Sequence, residues 1–173
     1  MAGRRGKRDP FAGLDLASLN GTRAVVTGAT NGLGLATARA LARAGASVIL
    51  PARDVELGRR RADEFGGDCS VVRLDLADLS SVRECAESIE GPIDFLVNNA
   101  GMFPHTHSQT VDGFELGIGT NFLGPFAFTN LLLAQVRRRI VCVASDAHKA
   151  ARIDPDDLNY SEASWSPPRA YAR

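Results

Sequence analysis

Short apolar runs alternate along the chain with longer stretches in which apolar and polar residues recur at helical spacing. Five runs rich in β-branched residues predict strands over 24–27, 47–50, 70–74, 93–97 and 140–144. The spacing between these runs predicts helices over about 32–44, 55–65, 80–89 and 114–136. Strands that alternate with helices predict an α/β fold with a doubly wound parallel sheet. In such a sheet, ligands bind at the carboxyl ends of the strands.

Composition places the chain among ordinary globular proteins. Its 173 residues suit one domain, its formal net charge is zero, and 45% of its residues are hydrophobic. Nothing in the charge pattern suggests nucleic acid as a partner. An apolar run of about 18 or more residues, as a membrane span needs, is not expected, and the start does not resemble a signal peptide. We therefore predict a cytoplasmic protein without an integral membrane segment.

Two further features concern the terminus and the thiols. The first 20 residues, with four basic side chains among glycines, are predicted to be a flexible, solvated lead. Cys69, Cys85 and Cys142 form no Cys-x-x-Cys pair, and two of them lie in predicted buried strands. All three are predicted to be reduced core thiols. His105 and His107 are one residue apart but have no third ligand nearby, so no metal site is predicted.

A glycine-rich turn follows the first strand and opens the first helix. Gly28 would let the chain leave the strand sharply, while Gly32 and Gly34 have no Cβ to keep a pyrophosphate from the backbone N–H groups. Asn31 and Leu33 lie in the same turn and are candidate cofactor contacts. This order of elements is typical of a Rossmann fold, here a dinucleotide-binding domain over 21–173. A tight turn with no ligand is the alternative.

The second predicted strand ends in a basic and an acidic residue, and they favour different cofactors. An acidic side chain such as Asp54 would bind the ribose 2′-hydroxyl of NAD, whereas Arg53 would pair with the 2′-phosphate of NADP. Because Arg53 comes first, we predict NADP(H), with NAD as the alternative and a surface arginine as the non-functional reading.

Polar and small residues also follow the third and fourth strands. Asp75 could accept a hydrogen bond from the adenine amino group while Leu76 packs on the ring. Asp75 could equally cap the next helix, although Asp78 and Ser80 are better placed for that. Asn98, Ala100 and Gly101 follow the fourth strand, where small side chains let the backbone pass close to a ligand. An amide-rich turn is the alternative there.

Together these motifs resemble the short-chain dehydrogenase/reductases. The resemblance rests on Thr27-Gly28-x-x-x-Gly32-x-Gly34, Asp75, Asn98-Asn99-Ala100-Gly101, Asn121 and Ser145. Within the family, the retinol dehydrogenase-like branch is the most similar. That similarity rests on Thr120-Asn121-Phe122-Leu123-Gly124-Pro125-Phe126 and on Arg139-Ile140-Val141-x-Val143-Ala144-Ser145-x-Ala147-His148. The resemblance extends from about residue 20 to residue 173.

The resemblance implies hydride transfer between a nicotinamide and a carbonyl or alcohol, with an Asn-Ser-Tyr-Lys tetrad. Asn121, Ser145 and Tyr171 match the first three members. The lysine would lie two positions beyond Arg173, so we expect a C-terminally truncated, inactive fragment; Lys149 is on the wrong element to replace it. Tyr160, Trp165, Pro167 and Pro168 lie in the segment that would cover the substrate, and they indicate an apolar one. The resemblance also implies pairing of copies through the long helix.

Three interpretations follow. The first is an NADP(H)-preferring short-chain oxidoreductase without its carboxyl-terminal part. The second is a non-catalytic dinucleotide-binding or interaction protein that retains only the glycine turn and cofactor site. A methyltransferase on a similar sheet is third, and it leaves Ser145 and Tyr171 unexplained. The fold usually has a sixth strand and the resemblance implies a seventh, and neither pattern follows within the 173 residues. We therefore expect the fifth strand to have an open edge and an exposed apolar face.

Overall fold

A parallel five-stranded sheet forms the centre of the protein in a computed structural model, which describes residues 18–160 and 164–173. Its strands are β1 (Arg23–Val26), β2 (Ser47–Ala52), β3 (Cys69–Arg73), β4 (Ile93–Asn98) and β5 (Val136–Cys142). They are ordered β3-β2-β1-β4-β5, and every neighbouring pair is parallel. The predicted α/β fold is confirmed. Most of the predicted flexible lead, residues 1–17, lies outside the described residues.

Helices cover both faces of the sheet. They are α1 (Gly32–Arg43), α2 (Val55–Phe65), α3 (Leu79–Ser88), α4 (Leu116–Ile118), α5 (Gly124–Leu132) and α6 (Pro167–Ala172). On one face, Ala38 and Ala42 of α1 pack with Phe65 of α2 against the sheet. On the other, Val82 of α3 and Phe128 of α5 pack against β1 and β4. Because both faces are covered, the inner strands are apolar along almost their whole length.

Two of the helices begin at aspartate caps. Asp54 precedes α2 and accepts a hydrogen bond from the Leu57 backbone at 2.9 Å. Asp78 precedes α3 and accepts from the backbone of Ser80 and Ser81. The hydrogen bond from the Ser80 hydroxyl is the largest cause that lowers the pKa of Asp78 from its usual 3.8, and the hydrogen bond from the Ser81 backbone is the second. Asp78 is therefore the residue that caps α3.

The long helix predicted over 114–136 is not continuous. A π turn, Gly119–Leu123, separates α4 from α5, and the Gly124 N–H donates to the Gly119 carbonyl five residues earlier. A 3₁₀ turn, Leu133–Gln135, then leads into β5. The stretch Leu116–Gln135 is nevertheless long and apolar enough, by length and composition alone, to cross a membrane. A helix in the core of a globular protein can meet the same criterion, and Phe128 and Leu132 pack in the core. The predicted lack of a membrane segment stays a prediction.

The fifth strand differs most from its prediction. It begins at Val136, four residues earlier than expected, so that Arg137, Arg138 and Arg139 lie in a strand rather than at the end of a helix. Arg138 pairs with Asp94 of β4 at 2.8 Å. A polar run can form this strand because β5 is the edge of the sheet and most of its side chains are exposed.

The same edge position corrects the prediction of three buried thiols. Cys85 of α3 is buried, and burial raises its pKa to about 12. Cys69 at the start of β3 is half-buried, and Cys142 of β5 is exposed. The last two lie in the two outer strands, which have a sheet neighbour on one side only. Their thiols are therefore not fully enclosed.

Candidate functional site

A cleft of about 1000 Å³ opens at the carboxyl ends of the strands. It contains most of the residues that the sequence predicts for a cofactor and substrate site. These are Gly28, Asn31, Leu33, Arg53, Asp75, Leu76, Asn98, Ala100, Gly101, Asn121, Ser145 and Tyr171. Gly32 and Gly34 do not line the cleft. Residues from five strand ends and from α6 thus meet around one space.

The glycine turn supports the cleft, but its three glycines have different roles. Gly28 has φ +67°, and a Cβ there would lie 2.8 Å from the Ala100 Cα. A Cβ at Gly34 would lie 2.9 Å from the Gly28 carbonyl carbon and would also meet the Asn99 amide. Gly34 therefore lets α1 pack on the turn. The room that Gly34 would leave for a pyrophosphate stays a prediction. At Gly32 a Cβ would meet none of the described atoms within 4 Å.

An anionic group fits the space in front of this turn. Backbone N–H groups in the first turn of a helix have no partner within the helix, and the helix dipole favours a negative charge there. Asn31 precedes α1, and its side chain makes no cap hydrogen bond in the described part of the chain. Leu33 is 72% exposed at the cleft. The start of α1 therefore fits the pyrophosphate of a dinucleotide.

Sequence analysis missed the contacts that join this turn to β4. The buried Thr27 hydroxyl accepts hydrogen bonds from the backbone N–H groups of Asn99 and Ala100, at 3.1 and 3.0 Å. The Asn99 side chain donates to the Thr27 carbonyl at 3.0 Å. These partners are more than 70 positions apart, so no local pattern connects them. They fix the glycine turn against the loop after β4.

At the end of β2, Arg53 and Asp54 make different contacts. The Asp54 carboxylate caps α2, while Arg53 is exposed at the mouth of the cleft. The Arg53 carbonyl accepts a hydrogen bond from the Arg73 guanidinium at 3.3 Å. This contact holds the backbone at the end of β2, from which the Arg53 side chain extends.

The loop after β3 combines a polar turn with a buried leucine. Asp75 Oδ1 accepts from the Ala77 backbone at 3.0 Å, and the Asp75 N–H donates to the Ser81 hydroxyl at 3.0 Å. Asp75 thus stabilises its own turn and does not cap α3. Leu76 is buried, and a Cβ at Gly124 would lie 3.1 Å from the Leu76 Cβ.

Asn98, the last residue of β4, has a hydrogen-bond partner for its side-chain nitrogen but, among the described residues, none for its side-chain oxygen. Its Nδ2 donates to the Thr129 hydroxyl at 2.8 Å. Its buried Oδ1 has no hydrogen-bond partner among the described residues, and the same holds for the buried Thr120 hydroxyl. Both residues line the cleft. Because an unpaired buried oxygen is costly, these atoms are suited to accept hydrogen bonds from a bound polar group or water.

Asn121 lies in the π turn and is held by a two-point contact. Its Oδ1 accepts from the Met102 N–H and its Nδ2 donates to the Met102 carbonyl, both at 2.8 Å. A Cβ at Gly101 would lie 3.5 Å from Asn121 Oδ1. The side chain therefore fixes the loop after β4 at the centre of the cleft.

Ser145 and Tyr171 lie on two segments that follow β5. The Ser145 hydroxyl accepts from the Ala147 N–H at 3.2 Å, at the start of a 3₁₀ turn, Asp146–Ala150. Tyr171 is in α6, and its ring lies 5.1 Å from that of Phe103. Both side chains line the cleft with Asn121, so the structure brings together the three residues that the family resemblance indicated.

The two other cations considered at this end of the chain are engaged elsewhere. The Arg173 guanidinium lies 3.7 Å over the Tyr160 ring and 3.9 Å from the Asp157 carboxylate. Lys149 pairs with Asp146 at 2.9 Å. In the described residues neither cation contacts Tyr171.

Comparison with known proteins identifies the class. The model of the short chain dehydrogenase family matches residues 22–154, and the chain belongs to that family. Human retinol dehydrogenase 13 is 40% identical over 169 residues, which cover 91% of this chain and 51% of the relative. Human retinol dehydrogenase 11 is 44% identical over 147 residues, which cover 78% and 46%. The chain spans about half the length of these curated relatives.

Solved structures confirm the fold. An uncharacterised protein from Mycobacterium paratuberculosis has a TM-score of 0.88 and 48% identity, covering 92% of this chain and 59% of the other. The Pseudomonas aeruginosa RhlG/NADP active-site complex has a TM-score of 0.69 and 29% identity, covering 89% and 64%. Fold and sequence thus agree on the short chain dehydrogenase family.

Proposed function

We propose that the 173 residues form the cofactor-binding part of an NADP(H)-preferring oxidoreductase for apolar alcohols or carbonyl compounds. The observation that carries the proposal is the single cleft in which the glycine turn, Arg53 and Tyr171 meet. A bound nicotinamide would supply the hydride chemistry. The chain's own residues would bind the cofactor, orient the substrate oxygen and exchange a proton with it.

The different positions of Arg53 and Asp54 after β2 support the preference for NADP(H). Asp54, the residue that could accept the ribose hydroxyl of NAD, already accepts the Leu57 N–H. Arg53 remains at the mouth of the cleft, where a guanidinium would pair with a 2′-phosphate in two-point geometry. One solved relative, RhlG, is a complex with NADP.

The proton chemistry is proposed for Ser145 and Tyr171. The Ser145 O–H can donate a hydrogen bond to a substrate oxygen while one of its oxygen lone pairs accepts from the Ala147 N–H. The Tyr171 phenol would exchange a proton with the same oxygen. Asn121 would keep the Met102 backbone in place beside them. Met102, Leu116 and Ile118 give the cleft apolar lining, which suits an apolar substrate.

The 173 residues do not include the lysine that the family resemblance implies beside the tyrosine. A nearby positive charge is what lowers the pKa of a catalytic phenol from about 10. We therefore propose that the 173-residue polypeptide binds the cofactor without turning over substrate. A non-catalytic dinucleotide-binding protein is the second candidate, favoured by the position of Arg173 on Tyr160 rather than on Tyr171.

Titration calorimetry of the purified 173-residue protein with NADPH and NADH tests the proposal. We expect NADPH to bind more tightly. Replacing Arg53 with Gln should weaken NADPH about tenfold to a hundredfold, because hydrogen bonds to a charged group contribute about 1.5–3 kcal/mol, and should leave NADH unchanged. Arg60→Gln, on the exposed side of α2, is the matched control.

The outcomes separate the candidates. Equal affinity for both cofactors, or an equal loss of both in Arg53→Gln, would contradict the NADP(H) preference. Binding of neither would contradict the cofactor site itself. Oxidation of NADPH in the presence of an apolar aldehyde would contradict the proposed inactivity. Pairing of copies through α5 and a cytoplasmic location stay predictions.

A further inference from the structure

A carboxyl group outside the cleft is almost completely buried and joins two segments of the site. Glu115 is 1% exposed and caps α4, where its Oε2 accepts from the Ile118 N–H at 2.9 Å. Its Oε1 accepts from the Trp165 indole nitrogen at 3.2 Å. Burying a carboxyl group is costly unless hydrogen bonds compensate it. Both donors are therefore required partners of this side chain in the folded protein.

Asn159 adds a second connection at the same place. The Glu115 N–H donates to Asn159 Oδ1 at 2.9 Å, and Asn159 Nδ2 donates to the Gly113 carbonyl at 3.2 Å. The contacts from Glu115 span 44 and 50 positions of the chain. We call Glu115, Asn159 and Trp165 the Glu115 bridge.

Each side of the Glu115 bridge leads directly to a residue of the candidate site. On one side, α4 continues into the π turn that contains Asn121. On the other, Trp165 is two residues before the start of α6, which contains Tyr171. Helix α6 also packs against α4. The bridge thus links the backbone segments that set the separation of Asn121 and Tyr171.

The segment beyond the bridge is held in one unusual conformation. Tyr160, next to Asn159, has φ +52°, a strained conformation that is rare for a bulky residue. Its hydroxyl donates to the Arg169 carbonyl in α6 at 3.1 Å, and the Arg173 guanidinium covers its ring. Such a backbone persists only where its surroundings determine it, and the adjacent Glu115 bridge provides that constraint.

We infer that Glu115 is a positioning residue for Tyr171. It contacts neither substrate nor cofactor, and it acts through Trp165 and Ile118 to fix the phenol relative to Asn121 and Ser145. The inference rests on the proposed function for the role of Tyr171. Misplacing a reacting group by about 1 Å can cost about a hundredfold in rate, so a buried link between the two segments has a direct chemical use.

Spectroscopy of the 173-residue protein tests the inference without cofactor. The chain has one tryptophan and two tyrosines, so Trp165 fluorescence and the ¹⁹F resonances of 3-fluorotyrosine report single sites. Replacing Tyr160 with Phe assigns the two resonances. Glu115→Gln keeps the side-chain size but exchanges one acceptor oxygen for a donor, so it cannot accept from both N–H groups. We expect Trp165 emission at longer wavelength and a shifted Tyr171 resonance in a folded protein.

A second variant protects the test from a failure to fold. Trp165→Phe removes the indole donor, keeps an aromatic ring and leaves the Ile118 cap, and it should also shift the Tyr171 resonance. Glu87→Gln, an exposed carboxyl group on α3, is the control and should move neither signal. Circular dichroism and the melting temperature establish that each variant is folded. If Glu115→Gln does not fold, Trp165→Phe decides.

The result that overturns the inference is an unchanged Tyr171 resonance in the folded variants. A merely structural glutamate would lower the melting temperature of the variants without moving this single resonance. Titration of the unmodified protein with NADPH is a separate measurement. Failure to bind NADPH would overturn the proposed function, whereas binding together with an unchanged Tyr171 resonance would overturn only the positioning role of Glu115.

Discussion

At the scale of single residues, the cleft depends both on glycines, which have no side chain, and on the hydrogen bonds of Thr27 and Asn99. Gly28 and Gly34 let β1, α1 and the loop after β4 approach one another, and Thr27 and Asn99 then join them by hydrogen bonds. The sequence indicates the glycines because their spacing is local. It does not reveal Thr27 with Asn99, or Glu115 with Trp165, because partners so far apart meet only through the fold.

Gly34→Ala should destabilise the protein by about 1–3 kcal/mol, since the added methyl group would overlap the Gly28 carbonyl and the Asn99 amide. Chemical denaturation followed by circular dichroism measures the change. Leu33→Ala, at the exposed neighbouring position, is the control and should change stability by less than about 0.5 kcal/mol. Equal effects of the two substitutions would show that α1 does not pack as closely as described.

The thiols should differ sharply in reactivity. Iodoacetamide near neutral pH should label exposed Cys142 first and leave Cys85 unlabelled, because burial raises the pKa of Cys85 to about 12 and the thiolate is the nucleophile. Mass spectrometry of peptides from the labelled protein measures this. Labelling of Cys85 before unfolding would contradict its burial.

The same thiol predicts a pH dependence of stability. The unfolded Cys85 loses its proton near the ordinary value of 9.0, whereas the folded one keeps it until about pH 12. Its contribution to stability is therefore complete below pH 9.0 and is lost as the pH rises toward 12. The free energy of unfolding of the parent protein, relative to Cys85→Ala, should fall over this range. A constant difference would contradict the raised pKa.

At the scale of elements, the strands and helices follow from local patterns except where an edge or an irregular turn intervenes. The inner strands were predictable because their apolar runs are covered on both faces. The start of β5 was not, since Arg137, Arg138 and Arg139 can be tolerated in a strand only because it lies at the edge. The sequence indicates the Asp78 cap, because a cap acts on the residues just after it, whereas it suggests Asp54 only as a ribose contact.

Removing the cap of α3 should lower the melting temperature. In Asp78→Ala the N–H groups of Ser80 and Ser81 lose their acceptor. Because the pKa of Asp78 is lowered in the folded protein, its contribution is present above the usual carboxyl pKa and is lost as the pH falls through the folded value. The parent and variant melting curves should therefore converge in acid. Asp63→Ala, on the exposed surface of α2, should have little effect at either pH.

At the scale of the whole molecule, the β5 edge of the sheet is the one with exposed apolar side chains beside it in the described part of the chain. At the β5 edge, Ile140 and Val141 of the strand are exposed, as is Val143 just after it. Phe122 of the π turn and Phe126 of α5 are also exposed. An open strand edge beside apolar surface is a template for association. The exposed edge was expected from the sequence, because no sixth strand pattern follows within the 173 residues.

The 173-residue protein should therefore self-associate as its concentration rises. Val141→Lys should shift the distribution toward monomer, because a charge on an edge strand opposes pairing with another chain. Sedimentation velocity over a range of concentrations measures it. Val111→Lys, at a position 79% exposed in a loop, is the control. Association that responds to Phe126→Lys and not to Val141→Lys would instead assign the contact to the long helix.

The π turn before α5 makes the number of residues, and not only their identity, a determinant of the site. The buried positions Gly119, Gly124, Phe128 and Leu132 are separated by five, four and four residues. Deleting one residue within the turn would restore ordinary helical pitch but rotate α4 by about 100° relative to α5. Asn121 would then lose its two hydrogen bonds to the Met102 backbone, although every side chain around it was unchanged. Insertions and deletions here should be far less tolerated than substitutions.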